Sequence, residues 1–263
     1  MIVPGRVTLL GTGTSTGVPI IGCDCAVCRS TDPRDQRLRQ SIYVDVPGRA
    51  RLLVDTSTDL RQQALAHDIT HVDAVLITHA HADHIMGLDD IRRFNHLQRA
   101  AIPFYAQPLA WETIRRVFFY AFDGVARLGG GVPKIDPMEI DGPFEVHGVR
   151  VVPVPLWHGT LPILGFRFGN FAYLTDCNAI PDASWPLLQG LDTLVLDALR
   201  DKAHTTHFTV AEAVDVAARV GARRTWFTHM GHDLGHAATN ARLPEGVELA
   251  YDGLVIDFEA DTS

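Results

Sequence analysis

Long apolar runs are missing from this chain: no stretch reaches the 18 or so residues that a membrane-spanning helix needs. The N-terminus, MIVPGRVTLL, has no basic segment followed by a long apolar stretch and a small-residue cleavage site, so the expected location is cytoplasmic. Basic residues are outnumbered, 23 Lys and Arg against 31 Asp and Glu, and the formal net charge of −8 argues against binding along a nucleic-acid backbone. A small anionic substrate stays admissible, because bound cations supply positive charge that the formal count omits. Cysteine is scarce: Cys23, Cys25, Cys28 and Cys177 are the only four, three of them within six residues. That clustering excludes a disulfide framework and fits metal binding in a reducing compartment. Repeats, low-complexity tracts and linkers are absent too, and 263 residues, 46% of them hydrophobic, suffice for one substantial core. Residues 1–263 are expected to form one domain.

What is present centres on Ala74 to Leu88, AVLITHAHADHIMGL, where a short apolar run feeds into His79, His81, Asp83 and His84. Two imidazoles at period-2 spacing point the same way and can grip one cation. Asp83 and His84 are adjacent, so both cannot face that cation from a regular strand, and a second metal close by would use them. The bland alternative is a polar loop carrying surface histidines.

Upstream, Val7 to Leu10 reads as a strand ending in the loop GTGTSTGVP. This loop lacks the Gly-Lys-Ser/Thr ending of a P-loop and does not match G-x-G-x-x-G, so its glycines are expected to serve turns and close backbone approach. Cys23-Asp-Cys25-Ala-Val-Cys28 follows, a C-x-C-x-x-C knuckle able to wrap one tetrahedral zinc with a fourth ligand from elsewhere. A closed shell of that kind is structural, since no position is left for water. Buried free thiols are the alternative.

Ser41 to Val46 and Arg51 to Asp55 form a hairpin about Pro47-Gly48, and a capped helix runs on to about His67. Asp55 is either a residue that hydrogen-bonds the metal loop or a turn residue. Helices are expected from Ile85 through Phe94 and from Leu109 to Phe122, the latter with Trp111, Ile114, Val117 and Phe118 as core positions. A lid or a subunit contact is the alternative for that helix, with Gly129-Gly130-Gly131 as its mobile link. Val149 to Val154 leads to His158, and a hairpin about Gly169-Asn170 delivers Asp176 just past its second strand. Thr193 to Leu196 reaches Asp197, then come His204 and His207, a helix over Thr209 to Val220, and Thr225-Trp-Phe-Thr leading to His229 and His232. Cys177 is expected to pack as a small apolar side chain.

The run His79-Ala-His81-Ala-Asp83-His84 resembles the H-x-H-x-D-H signature of the metallo-β-lactamase fold superfamily. The resemblance implies an αββα sandwich of two mixed sheets flanked by helices. It also implies that His79, His81 and His158 hold one divalent metal, that Asp83, His84 and His229 hold the other, and that Asp176 bridges them. The knuckle cysteines, with His232 three residues after His229, resemble the PhnP-like cyclic phosphate phosphodiesterases, in which a histidine placed like His232 completes a structural zinc site. That group implies His207 as the residue that protonates the leaving alkoxide or steadies the phosphate, with His204 as a competitor, and Asp83 as a ligand that also acts in catalysis. The implied reaction is hydrolysis of a small, anionic, cyclic ribose phosphodiester, and a homodimer is part of the resemblance. The catalytic pair is zinc or manganese, with iron a third option, because a His-rich site with carboxylates accepts several metals. Rival readings are a tRNA 3′-processing endonuclease, whose glycine-rich arm has only a modest counterpart in residues 112–135, and a dimetal lactonase or thioesterase.

Overall fold

The structure, a computed structural model, describes residues 1–122 and 131–263. The first half of the chain supplies β1 (Ile2–Gly11), β2 (Ser41–Val46), β3 (Ala50–Val54), α1 (Leu60–Ala66), β4 (Ala74–Leu76), α2 (Ala82–Ile85), α3 (Ile91–Gln98), β5 (Ile102–Ala106), α4 (Pro108–Val117) and α5 (Phe119–Phe122). The second half supplies β6 (Ile135–Glu139), β7 (Phe144–Val146), β8 (Val149–His158), β9 (Leu161–Phe168), β10 (Phe171–Leu174), β11 (Thr193–Asp197), α6 (Val210–Val220), β12 (Arg224–Thr228), α7 (His236–Asn240), β13 (Val247–Leu249) and β14 (Val255–Asp261). They assemble into two seven-stranded sheets, ordered β14-β1-β2-β3-β4-β5-β6 and β13-β12-β11-β10-β9-β8-β7.

Each sheet is antiparallel through one half and parallel through the other, with β3, β4, β5 and β6 parallel in the first and β10, β11, β12 and β13 parallel in the second. The parallel strands are covered on both faces, which is why their sequences are unbroken apolar runs such as Phe171-Ala-Tyr-Leu, buried throughout. The edge strand β14 alternates buried and exposed instead. Between the sheets, Val7, Leu9, Ile42 and Val54 meet Val151, Phe166, Phe171 and Val195 in one buried cluster. Outside it, Leu60, Phe94, Trp111 and Ile114 pack helices α1, α3 and α4 on the first sheet, and Val210 and Ala213 pack α6 on the second. The result is the expected αββα sandwich. Each fully buried Phe or Leu in these layers contributes roughly 1.5–3 kcal/mol relative to exposure.

Both expected hairpins are present, with Val46 opposite Ala50 and Phe168 opposite Phe171. Helix α6 starts at Thr209 with a reciprocal capping box to Glu212 and stops at Gly221, whose φ is 68°. Three expectations need correction. Helix α1 has no side-chain cap, because Asp59 is drawn away to Arg39, accepting from its backbone N at 2.9 Å and its Nη1 at 2.8 Å. The helix expected from Ile85 through Phe94 is broken into α2, a 3-10 turn over Leu88–Asp90 and α3. The long aromatic helix breaks at Phe118 into α4 and α5; Trp111, Ile114 and Phe118 are buried, but Val117 is 36% exposed. Six residues on from Trp111 the helix has turned well away from the buried stripe. Of the expected glycine link, Gly129 and Gly130 lie outside the described residues, as does much of the 112–135 segment. Among the described residues no helix is long and apolar enough to cross a membrane.

Candidate functional site

The site lies where loops leave β4, β8, β10, β11 and β12. Strand β4 stops at Leu76, so His79 and His81 stand on an extended loop rather than on the strand, and His81 occupies the N-cap position of α2. The helical turn α2 then carries Asp83 and His84 inward, both buried. That turn solves the adjacency problem posed by the sequence.

Ligand-type atoms of His79, His81 and His158 lie within 4.8 Å of one another, and those of Asp83, His84, Asp176 and His229 form a second such group. Asp176 stands between the two: its Oδ2 is 3.9 Å from His79 Nε2, 3.2 Å from His84 Nε2 and 3.1 Å from His229 Nε2. The Nε2 atoms of His79 and His229 are buried with no hydrogen-bond partner. Buried polar nitrogens left so exposed to desolvation cost are a fit for cations held between them. Backbone strain accompanies the function, since Asp55, Asp176 and His229 all adopt positive φ, at 63°, 58° and 58°.

Supporting contacts turn the imidazoles the right way. Asp55 Oδ2 accepts from His84 Nδ1 at 2.7 Å and from Thr78 Oγ1 at 2.8 Å, so the choice left open for Asp55 falls to contact with the metal loop. His158 Nδ1 donates to Thr206 O at 3.0 Å, turning its Nε2 towards the site. Burial holds His79 well below the usual imidazole range, aided by neighbouring His84, and burial brings His158 down to about 4. Both are therefore in the neutral form that can ligate. His84 and His229 behave oppositely: burial lowers them, but carboxylates overcome it, Asp176 and Asp55 lifting His84 well up and Asp176 and Asp83 lifting His229 to about 10. In this cluster a cation would take the place of those protons.

His207 is buried beside both groups, its ring 4.7 Å from that of His158 and stacked 4.5 Å from that of His229. Behind it sits Asp197, which the sequence reading passed over. Asp197 Oδ1 is 3.2 Å from His207 Nδ1 and 3.5 Å from His229 Nδ1, while Oδ2 accepts from Phe208 N at 3.0 Å. The carboxylate thus orients the His207 ring by a hydrogen bond and lies close to the unpartnered Nδ1 of His229. Its signal was available, since it closes the apolar run of β11 much as Asp176 follows that of β10. His204 is exposed, and its Nδ1 accepts from Thr206 N at 3.3 Å.

The knuckle is also assembled. His232 Nδ1 lies 3.3, 3.4 and 3.7 Å from the sulfurs of Cys23, Cys25 and Cys28. Zinc bonds of about 2.3 Å to sulfur and 2.0–2.1 Å to nitrogen give a tetrahedral edge of about 3.5 Å, so the group fits that ion. The Cys28 amide pulls the Cys25 thiol down to about 6, against burial. Two unforeseen residues lock this region to the other site. Arg37, fully buried, donates from Nη1 to Gly231 O at 2.9 Å and from Nη2 to Leu234 O at 2.5 Å, with Asp35 as its ion partner. The Gly-rich loop grips the same segment, Met230 N donating to Thr12 O at 2.9 Å and Thr14 N to Met230 O at 3.1 Å. Close approach does require glycine: a Cβ on Gly11 would sit 2.0 Å from Arg39 O. His236 belongs to the frame as well, its Nε2 3.2 Å from Leu249 O and its ring buried. Cys177 packs fully buried in the second sheet's core, as expected.

Comparison with known proteins agrees with this geometry. The family described as "Beta-lactamase superfamily domain" matches residues 50–230. A solved structure titled as a new diphosphatase from the PhnP family superposes with a TM-score of 0.93 at 45% identity, covering 99% of this chain and all of that one. Coenzyme PQQ synthesis protein B of Methylorubrum populi is 30% identical over 86% of this chain and 80% of its own length. An octanoyltransferase of Porphyromonas gingivalis is 38% identical over 95% of this chain, but the chain spans only about half, 51%, of that protein. The chain belongs to the β-lactamase superfamily and is a PhnP-like hydrolase of the metallo-β-lactamase fold.

Proposed function

We propose that the protein hydrolyses a phosphodiester in a small anionic substrate, with a cyclic ribose phosphate as the preferred class. The observation that carries this reading is His207, backed by Asp197 and set against the rings of His158 and His229, where a proton can be delivered beside both candidate metal groups. His79, His81 and His158 would hold one divalent cation, Asp83, His84 and His229 the other, and Asp176 would serve both. Two such ions supply hydroxide near neutral pH and neutralise charge on the phosphoryl oxygens. The side chains do the rest. Asp55 and Asp197 keep the rings of His84 and His207 in fixed orientation. His207 gives its Nε2 proton to the departing alkoxide, which is a poor leaving group without it. Cys23, Cys25, Cys28 and His232 would hold a structural zinc remote from the chemistry. A homodimer belongs to the same reading.

Phosphoanhydride cleavage is the second reading, favoured by the diphosphatase title of the 45% identical structure. Both reactions expel an oxygen from phosphorus, and the same residues serve. Acyl transfer, suggested by the name of the Porphyromonas relative, finds little support: Cys177, the one cysteine outside the knuckle, is fully buried and burial pushes its thiol far up. The net charge of −8 weighs against a long nucleic-acid substrate.

The deciding experiment is metal analysis of the purified protein with a substrate panel: a ribose cyclic phosphate, bis-p-nitrophenyl phosphate, a nucleoside diphosphate, a precursor tRNA and a lactone. The cyclic phosphodiester should give the highest kcat/KM. A higher value on the diphosphate selects the second reading, and one on tRNA or lactone overturns both.

A further inference from the structure

Beside the first candidate metal group opens a cleft of about 290 Å³ that the chemistry above does not use. His79 and His81 are among the residues that line it, so anything held there lies next to a phosphoryl group at the site. Its walls come from the start of α4 and the start of β9: Leu109 on one side, Leu161 and Pro162 on the other, with Gln107 and Thr113 also lining it. Among the described residues no Asp, Glu, Lys or Arg lines it, and the basic residues of α4, Arg115 and Arg116, stand in that helix's last turn. Leu109 is 46% exposed at this position, an apolar surface that gains by being covered.

This composition selects its occupant. A second phosphate or a carboxylate held between the aliphatic walls would lose hydration with no charged side chain of the described lining to compensate, the cation that His79 and His81 would hold being engaged by the reacting phosphoryl group. An uncharged ring matches them: its faces would lie on leucine and proline, and its edge would meet the neutral amide of Gln107 and the hydroxyl of Thr113. The volume lies at the low end for ligand pockets and suits one substituent rather than a whole ligand.

We infer that this cleft is a specificity subsite for an uncharged heteroaromatic ring carried by the phosphoester, the base of a nucleotide-type substrate. The inference rests on the phosphoester reading of the site and adds to it the non-reacting part of the substrate. Leu109, Thr113 and Leu161 become specificity determinants, with no role in the proton transfer.

The test is calorimetric titration of the metal-loaded protein with inorganic phosphate, ribose 5-phosphate and adenosine 5′-monophosphate, for the wild type, Leu109→Asp and Thr113→Glu. The wild type should bind the nucleotide about tenfold more tightly than the sugar phosphate. In either variant that ratio should fall towards one, because a carboxylate in the cleft repels the ring from its apolar seat and a ratio of affinities is insensitive to general loss of folded protein. A wild-type ratio near one, or a ratio that neither variant moves, removes the subsite and leaves the phosphoester reading standing. If phosphate binds in none of the three forms, the phosphoester reading fails and the subsite falls with it.

Discussion

Asp176 illustrates how much one residue carries. Its Oδ2 faces three imidazole nitrogens at 3.1 to 3.9 Å, and its backbone is held at a φ of 58° to aim it there. Asp176→Asn keeps the shape but loses the negative charge that two cations would share. Catalytic metal should fall by at least one equivalent and kcat by more than about 100-fold, beyond the usual cost of losing a supporting contact; elemental analysis with steady-state kinetics checks both, and full metal with full activity would end its bridging role. His207 also stands within ligand distance of Asp176 and His158, but its Nδ1 is taken up by Asp197, so it is expected to behave differently. His207→Ala should retain all metal while kcat drops by about 10²–10⁴-fold on a substrate with an alkoxide leaving group. Metal lost along with activity would make it a structural residue instead. His204→Ala, by contrast, removes an exposed side chain with no carboxylate behind it.

At the scale of elements, the strongest constraint falls on the loop after β12, which offers His229 to one site and His232 to the other. Asp252 helps to position the Gly-rich loop that grips it, accepting from Thr12 N and Thr12 Oγ1 at 2.8 Å each and from Leu38 N at 2.7 Å. Burial lifts its carboxyl to about 7 despite these bonds. The folded protein therefore keeps a proton that the unfolded chain has released above about 4, and the stability tied to that proton declines as pH rises from about 4 through 7. Asp252→Asn cannot ionise, so its melting temperature should fall less steeply than the wild type's across that window, a difference of at most roughly 1.4 kcal/mol per pH unit. Parallel slopes would show that Asp252 does not titrate there. Elements of this kind were unevenly legible in the sequence. The hairpins announced themselves through Pro47-Gly48 and Gly169-Asn170, and His79 to His84 through dense ligand spacing, because each signal is local. Arg37 and Gln40 were not legible, since what defines them is contact with residues far along the chain, whereas Asp197 had a local signal at the end of an apolar run that named no role. Gln40 Nε2, for example, lies 3.3 Å from Asp83 Oδ2, 43 positions away. Val117 misled because a helical stripe was extended across the break at Phe118.

Across the whole molecule, the knuckle joins the two ends of the fold: Cys23 and His232 are 209 positions apart and only 3.3 Å apart in space. A zinc there closes a very long loop, so its binding energy is folding energy. Cys25→Ser should lose one zinc and several degrees of melting temperature, while Cys177, distant from the cluster, keeps its place in the core; an unchanged melting temperature with one zinc fewer would refute the coupling. The same long-range closure explains why the sequence, which showed the three cysteines plainly, needed a family resemblance to find the fourth ligand.

The two chain termini meet at one corner. Met1 N donates to Thr262 O, Thr262 N donates back to Met1 O at 2.7 Å, and Ser263 N reaches Gly148 O at 3.0 Å. From that corner β1 runs ten residues, about 33 Å at strand rise, before Thr12 touches the loop of His229. Polypeptide joined to Met1 or to Ser263 would thus emerge from one corner, a strand's length along β1 from the loop that carries His229.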